Sequence, residues 1–278
     1  MSINRLIYLP LGGAGEVGMN TYIYGFGRKG KERLIVVDLG VTFSDAETSP
    51  GVDLILPDLT WLEENKNRLE GIIISHPHMD HIGALGHVWE RLRVPIYARM
   101  FTGQIAKKLL SEKGFSECEV KIMNSWPSTF DLGPFQIGFV PVSHSIPESS
   151  ALVLDTEVGR LVHSGDFKLD ETPVVGEPFD LEMWKKIAET GIQAFVCDST
   201  NIFANFAGRS ESSLSNNIDD LFVKAEKMIV ATTFSSNLAR LKTLAEAGGR
   251  AGRYVCLLGR AMQQMFEIGK KTDIIEKK

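Results

Sequence analysis

Short runs of apolar residues alternate with polar turns along the chain, and the period of that alternation changes with position. Residues 6–9, 20–24 and 34–38 are short, rich in β-branched or aromatic side chains and bounded by glycine or charge, so they read as strands. The same pattern returns at 71–74, 94–97, 136–140, 150–154 and 161–163, while 82–93, 103–112 and 181–189 repeat their apolar positions at helical spacing. A meander of strands followed by strands mixed with helices predicts sheets packed together with helices outside. From residues 195–198 onward the texture becomes strand, long helix, strand. A helix capped near Ser210 covers 210–228, and a second at 237–247 lies between strands at 228–232 and 254–258, a βαβ rhythm. This change predicts a boundary between residues 200 and 210.

Composition narrows the picture. A length of 278 residues suggests about two domains. The net charge of −5 excludes a globally basic nucleic-acid binder but leaves room for a local basic groove. No run approaches the roughly 18 apolar residues of a membrane span, and Met1-Ser2-Ile3-Asn4-Arg5 opens no basic-then-apolar leader, so the expected address is cytoplasmic, without a membrane partner. Cys118, Cys197 and Cys256 lack paired spacing and read as small buried hydrophobes. The glycine-rich segment 12–18 is followed by a strand rather than a helix, which favours a turn using positive φ over a phosphate cradle. The charged stretch 270–278 reads as a solvated face or frayed tail.

The densest chemistry is Ser75-His76-Pro77-His78-Met79-Asp80-His81, directly after an apolar strand. Imidazole nitrogens and carboxylate oxygens are zinc ligands. A solvent-exposed histidine-rich turn is the bland alternative, yet four of the six histidines fall on this segment or at His144, which favours ligation. His144 and Asp166 each follow an apolar strand, where open sheets place their sites, and could add a third nitrogen and a bridging carboxylate to a dinuclear centre. Asp38, at the end of a strand, is either an outer carboxylate orienting an imidazole or a turn residue. His87 and His163 read as structural.

These residues resemble the metallo-β-lactamase superfamily, whose His-x-His-x-Asp-His signature is matched by His76, His78, Asp80 and His81. The resemblance is closer to the β-CASP nucleases, and within them to the bacterial ribonuclease J family. It rests on Gly12-Gly13-Ala14-Gly15-Glu16-Val17-Gly18-Met19-Asn20, Asp38-Leu39-Gly40-Val41, Ser143-His144-Ser145-Ile146-Pro147-Glu148, His163-Ser164-Gly165-Asp166 and Cys197-Asp198-Ser199-Thr200-Asn201. It implies an α/β fold in which a four-layer αββα metallo-β-lactamase sandwich over residues 1–200 is followed by a partial α/β β-CASP domain over 201–278. It also implies a zinc-dependent ribonuclease, 5′-to-3′ exonucleolytic or endonucleolytic, using metal-activated water on RNA phosphodiesters. By the resemblance His76, His78 and His144 hold one zinc and Asp80 and His81 the other, with Asp166 between them, and Asp80 and Asp166 are the catalytic carboxylates. Asp198 falls at an acidic outer position. Ser235, Ser236, Asn237, Arg240 and Arg260 match places that contact RNA phosphates, and for the two serines simple capping of the next helix is compatible. Arg240, Arg250, Arg253 and Arg260 together form the one local anion-binding wall to be expected.

The match has departures. Met79 stands where the family commonly has Glu, and Ala261 where it has Ser. The family continues past the counterpart of Lys278 with further histidines, whereas no histidine follows His163 here, so the second zinc lacks one ligand. The expectation is a C-terminally truncated relative; a split enzyme completed by a second polypeptide or a homo-oligomer, and water in the open position, are the alternatives. An inactive fragment that binds metal or RNA, and a metallo-hydrolase of a small ester, remain open beside the ribonuclease. The ligand count predicts that one zinc is held more tightly than the other; metal stoichiometry of the dialysed protein checks this, and two equally tight equivalents would contradict it.

Overall fold

The structure is a computed structural model that describes residues 3–45, 47, 49–206 and 208–275; Met1, Ser2 and the last three residues of the charged tail lie outside it. Six strands form the first sheet in spatial order: β1 (Asn4–Gly12), β2 (Thr21–Arg28), β3 (Arg33–Val37), β4 (Leu69–Ile73), β5 (Ile96–Ala98) and β6 (Val120–Ile122). The first three pair antiparallel, β1 to β2 through the loop 13–20 and β2 to β3 through the short turn 29–32, and β3 to β6 pair parallel. Parallel neighbours need crossovers. Helix α1 (Thr60–Glu64) lies between β3 and β4, α2 (Met79–Ile82) and α3 (Leu85–Leu92) between β4 and β5, and α4 (Met100–Ser111) between β5 and β6. The second sheet contains β7 (Thr129–Leu132), β8 (Phe135–Pro141), β9 (Ser150–Thr156), β10 (Gly159–His163) and β11 (Ala194–Val196), running from β11 at one edge to β7 at the other. Helix α5 (Leu181–Ala188) carries the chain from β10 to its parallel neighbour β11.

Side-chain alternation divides the interior into layers. Tyr24, Ile35, Val37 and Ile73 of the first sheet meet Phe135, Ile137, Phe139, Leu152 and Leu154 of the second. The alternate residues Ile23, Leu34, Val36 and Ile72 face the other way, against Leu85, Val88 and Leu92 of α3 and Phe101, Ile105 and Leu110 of α4. On the outer face of the second sheet, Val140, Val153 and Val162 pack with Ile187 of α5. Helix, sheet, sheet, helix is therefore the layer order, as expected from the sequence. Helices α6 (Ser215–Lys224), α7 (Leu238–Arg250) and α8 (Arg260–Lys271) follow, and Leu238, Leu241 and Ile268 join the helical side of the first core.

Three expectations fail. Segments 228–232 and 254–258 join no ladder among the described residues; Met228, Val230, Tyr254 and Leu258 stand 77% or more exposed. A strand needs a neighbour for its N–H and C=O groups, and apolar pattern alone supplies none. The first of the late helices is also shorter than expected, since a 3-10 turn at Glu211–Leu214 precedes α6. All three cysteines are exposed: Cys118 lies in a turn before β6, Cys197 just beyond edge strand β11, and Cys256 in the unpaired run. Strands β6 and β7, with only three and four residues and one charge in each, carried too little pattern to be read in advance.

Backbone hydrogen bonds knit the strand ends into one unit. The Asn20 amide donates to the Asp80 carbonyl at 2.8 Å, Gly40 N–H to the Asn20 carbonyl at 2.9 Å, Leu39 N–H to the His81 carbonyl at 2.7 Å and Ser150 N–H to the Ser75 carbonyl at 3.2 Å. Gly40 makes this approach possible, because a β-carbon there would stand 1.6 Å from the Asp80 carbonyl oxygen. Gly40→Ala is therefore expected to destabilise the fold by about 3 kcal/mol or more. Gly249→Ala, inside α7 with open space around it, is expected to be neutral or to stabilise by up to about 1 kcal/mol. Urea-unfolding midpoints in one buffer compare the two.

Candidate metal centre

The site gathers at the carboxyl ends of β3, β4, β8, β10 and β11, which deliver Asp38, the 75–81 segment, His144, Asp166 and Asp198 in turn. Pro77 disfavours helix at the residue before it, so the chain leaves β4 extended and turns helical only at Met79. His78 occupies the position before that single turn, and its carbonyl accepts from the amides of His81 and Ile82, both at 2.9 Å. The turn thereby aims Asp80 and His81 at the same space as His76 and His78. Gly165, at φ +56°, bends the chain after β10 so that Asp166 enters from the second sheet.

His76 Nε2 and His144 Nε2 each lie 3.1 Å from His78 Nδ1. Asp166 Oδ2 stands 4.0 Å from His76 Nε2 and 3.8 Å from His144 Nε2, while its Oδ1 reaches His81 Nε2 at 3.2 Å. Asp80 Oδ2 is 3.6 Å from that same nitrogen. Two donor sets result, His76/His78/His144/Asp166 and Asp80/His81/Asp166, each with its ligand atoms within 4.8 Å of one another. One Asp166 oxygen faces each set.

The geometry fits divalent cations. Tetrahedral bonds of about 2.0–2.1 Å separate neighbouring ligands by roughly 3.3–3.4 Å, close to the imidazole spacing here. Burial comes first in holding His76 well below the ordinary histidine range, and it lowers His78 and His144 to about 4, with neighbouring imidazoles adding to the effect. Neutral imidazole is the ligating form. Burial opposes charge at His81 too, but the Asp38 and Asp166 carboxylates outweigh it and lift the group to about 10. Burial would raise Asp166, yet its hydrogen bond to His81 and the surrounding imidazoles hold it at about 2.

Asp38 is fully buried and sits at φ +62°. Its Oδ1 accepts from the Ser75 amide at 2.7 Å, and its Oδ2 accepts from Ser75 Oγ at 2.8 Å and from His81 Nδ1 at 2.7 Å. That bond leaves Nε2 turned toward the donor sets. Asp38 thus combines a positive-φ backbone with a direct contact to the His81 ring.

Other candidates lie differently. Asp198 borders the same cavity, about 460 Å³ and walled by the 13–18 loop, but its carboxylate accepts from the Thr200 amide and hydroxyl at 2.8 and 2.7 Å rather than touching a ligand. The loop glycines Gly13, Gly15 and Gly18 adopt positive φ. His163 is buried against Tyr24 Oη at 2.9 Å, consistent with a structural role, and His87 is exposed on α3. Ser235, Ser236, Asn237, Arg240 and Arg260 do not border the cavity. Asn237, not either serine, caps α7, accepting from the Arg240 amide at 2.9 Å. Of the expected arginine wall, Arg240 is paired with Glu211 and Arg250 with Asp219, and Arg253 donates to main-chain carbonyls. Acidic and carbonyl neighbours, invisible to a count of arginines, explain the difference. Sequence reading missed Asn20, whose amide nitrogen lies 3.3 Å from Asp80 Oδ2 and 3.0 Å from His81 Nε2.

A sequence profile of the metallo-beta-lactamase superfamily matches residues 14–195, and one of the ribonuclease J beta-CASP domain matches 226–278. The Sinorhizobium meliloti protein named Ribonuclease J is 43% identical over 98% of this chain and 48% of its own length. Proteins of that name from Helicobacter pylori and Corynebacterium glutamicum are 33% and 34% identical over 96% and 98% of this chain, and 38% and 37% of theirs. The chain thus spans about half or less of these relatives. A solved Enterococcus faecalis protein of unknown function shares the fold, with a TM-score of 0.56 at 18% identity over 88% of this chain and 63% of that one. No helix among the described residues is long and apolar enough to cross a membrane.

The shifts set how stability of the metal-free protein depends on pH. His78, His144 and His163 drop from 6.5 to about 4 on folding, so the unfolded chain binds more protons between those values and stability falls as pH drops through that window. His81, lifted to about 10, contributes stability that is full below pH 6.5 and lost as pH climbs toward 10. Urea midpoints of chelator-treated protein are expected to peak near pH 6.5, and His81→Gln should flatten the alkaline limb and, to a smaller extent, the acid limb, because His81 also helps hold His78 and His144 down.

Proposed function

Because the chain belongs to the metallo-β-lactamase superfamily, with ribonucleases J as relatives along nearly its whole length, we propose that it carries the metal centre of a zinc-dependent ribonuclease. The observation that carries this reading is the pair of donor sets joined through the two oxygens of Asp166. His76, His78 and His144 with Asp166 hold one zinc; Asp80 and His81 with Asp166 hold the other. Cations bound there supply Lewis acidity and lower the pKa of water.

The chain's own residues do the rest. Burial keeps three imidazoles free of protons, so the first site forms at neutral pH without proton release. At the second site His81 surrenders its proton when a cation arrives, while Asp38 holds the ring in place. The positive-φ loop at 13–18 and the 196–200 segment bound a cavity beside Asp80 and Asp166 in which an RNA phosphodiester would meet the cations that these carboxylates would hold. A cytoplasmic address and residues 201–278 as part of a β-CASP domain belong to the same reading. Within that part, Ser235, Ser236 and Arg260 are the phosphate contacts it favours, since Arg240 is taken by Glu211.

The test incubates the purified chain with 5′-monophosphorylated RNA and, separately, with a lactone and a thioester. RNA cleavage that stops on chelation and returns with zinc is expected. A metal site of this kind contributes several kcal/mol to the transition state, so Asp80→Ala and His144→Ala should each lower turnover at least about 100-fold. Hydrolysis of the small esters with RNA untouched would favour a generic metallo-hydrolase, and RNA cleavage undiminished by Asp80→Ala would overturn the assignment.

A further inference from the structure

We propose that Asn20 is a positioning residue that sets the Asp80 and His81 end of the donor cluster, with its amide oriented by Tyr22. The inference rests on the two-site reading given above and goes beyond it, because Asn20 belongs to neither donor set.

Every polar atom of Asn20 is spent on this corner. Its N–H holds the Asp80 carbonyl at 2.8 Å, and its carbonyl accepts from Gly40 N–H at 2.9 Å and from Thr21 Oγ1 at 2.8 Å. Its side-chain nitrogen lies 3.3 Å from Asp80 Oδ2 and 3.0 Å from His81 Nε2, and its side-chain oxygen accepts from Tyr22 Oη at 2.7 Å. An ionised carboxylate only accepts hydrogen bonds, so the amide nitrogen must face Asp80 and the oxygen must turn to Tyr22. Tyr22 is itself fixed: it is 8% exposed, and its ring stacks on Tyr8 at 6.1 Å and lies 4.9 Å from His163. Burial, with Asp38 nearby, keeps the phenol protonated and donating. Gly13 leaves room for the bond, since a β-carbon there would stand 2.4 Å from both Asn20 Oδ1 and Tyr22 Oη. Asn20 thus fixes Asp80 at two points, the carbonyl and the same carboxylate oxygen that stands 3.6 Å from His81 Nε2. The other donor set has its own outer partner, Ser75 Oγ at 3.1 Å from His76 Nδ1, and the side chain of Asn20 meets only Asp80 and His81 among the donor residues, so only one of the two sites should feel its loss.

Zinc titration of the full chain, followed by calorimetry and repeated with cobalt(II) for its ligand-field absorption, tests this. Partners of this kind are worth about 10- to 100-fold in metal affinity. Asn20→Ala is expected to weaken one of two equivalents by that factor, to change the cobalt spectrum of that equivalent and to leave the other unaltered. Tyr22→Phe should weaken the same equivalent by less, and the double variant should bind no worse than Asn20→Ala, because the hydroxyl acts only through the amide. Urea unfolding of the metal-free variants establishes that each folds. Should Asn20→Ala fail to fold, Tyr22→Phe decides alone. Wild-type titration curves for the folded single variants, or losses that simply add in the double variant, overturn the proposal while leaving two sites standing. A wild-type chain that takes up one equivalent sinks the two-site reading and the proposal with it.

Discussion

The buried carboxylate of Asp38 is the constraint on which the rest of the structure depends. It sits where two parallel strands end side by side, and in one side chain it accepts from the Ser75 amide, the Ser75 hydroxyl and His81 Nδ1. A buried acceptor left unmatched costs about 1–3 kcal/mol, so these three donors are tied to it as firmly as it is to them. The turn after β4 and the single helical turn behind it are pinned as a consequence. Asp38 takes positive φ so that its side chain points back under the 75–81 segment, and the backbone just beyond it binds the carbonyls of His81 and Met79. Fold and chemistry meet here: the bonds that close the sheet end also choose the imidazole nitrogen that faces the cavity.

Much of this was legible in the sequence because the informative residues are local. His76, His78, Asp80 and His81 fall within six positions, and no structure is needed to see that they share a neighbourhood. His144 and Asp166 were legible less directly, through their place after apolar strands and through family resemblance. Asn20 was quoted only as the end of a segment that carries the resemblance, and its place at the site was not legible. Its partners lie 60 and 61 residues away, and a lone asparagine before a strand looks like any turn residue. Pairing across distance also explains the strands at 228–232 and 254–258: the apolar pattern is present, but ladder formation belongs to two segments at once. The arginines fail for the same reason, since Glu211 and Asp219 neutralise Arg240 and Arg250 from helical turns about thirty residues earlier.

Packing sets the precision of the site. Two sheets meet through large side chains such as Tyr24, Phe135 and Phe139, and the donor residues ride on the ends of strands held rigidly by that layer. His76 and His81 come from the first sheet, His144 and Asp166 from the second, so their spacing is a property of sheet-on-sheet packing rather than of a loop. Ser150 N–H bonding the Ser75 carbonyl ties the two sheets at that corner. A site assembled this way tolerates little relative motion, which suits ligands whose bond lengths vary by only about 0.2 Å.

Charge completes the argument. Asp38, Asp80 and Asp166 converge on a space where burial keeps His76, His78 and His144 neutral, and in the metal-free chain His81 alone carries a compensating proton. Asp38 is buried while Asp80 and Asp166 line the cavity with about a third of each side chain exposed, 34% and 31%, a grouping of carboxylates that suits cations. One divalent ion leaves the three carboxylates in excess once His81 is neutral; two leave a net positive charge. On the two-cation proposal, that surplus would give the cavity an attraction for anions that the chain as a whole, at −5, does not have. The two-cation proposal and the phosphodiester proposal are therefore consistent with each other, because a centre holding two cations would draw a phosphate into an otherwise acidic protein.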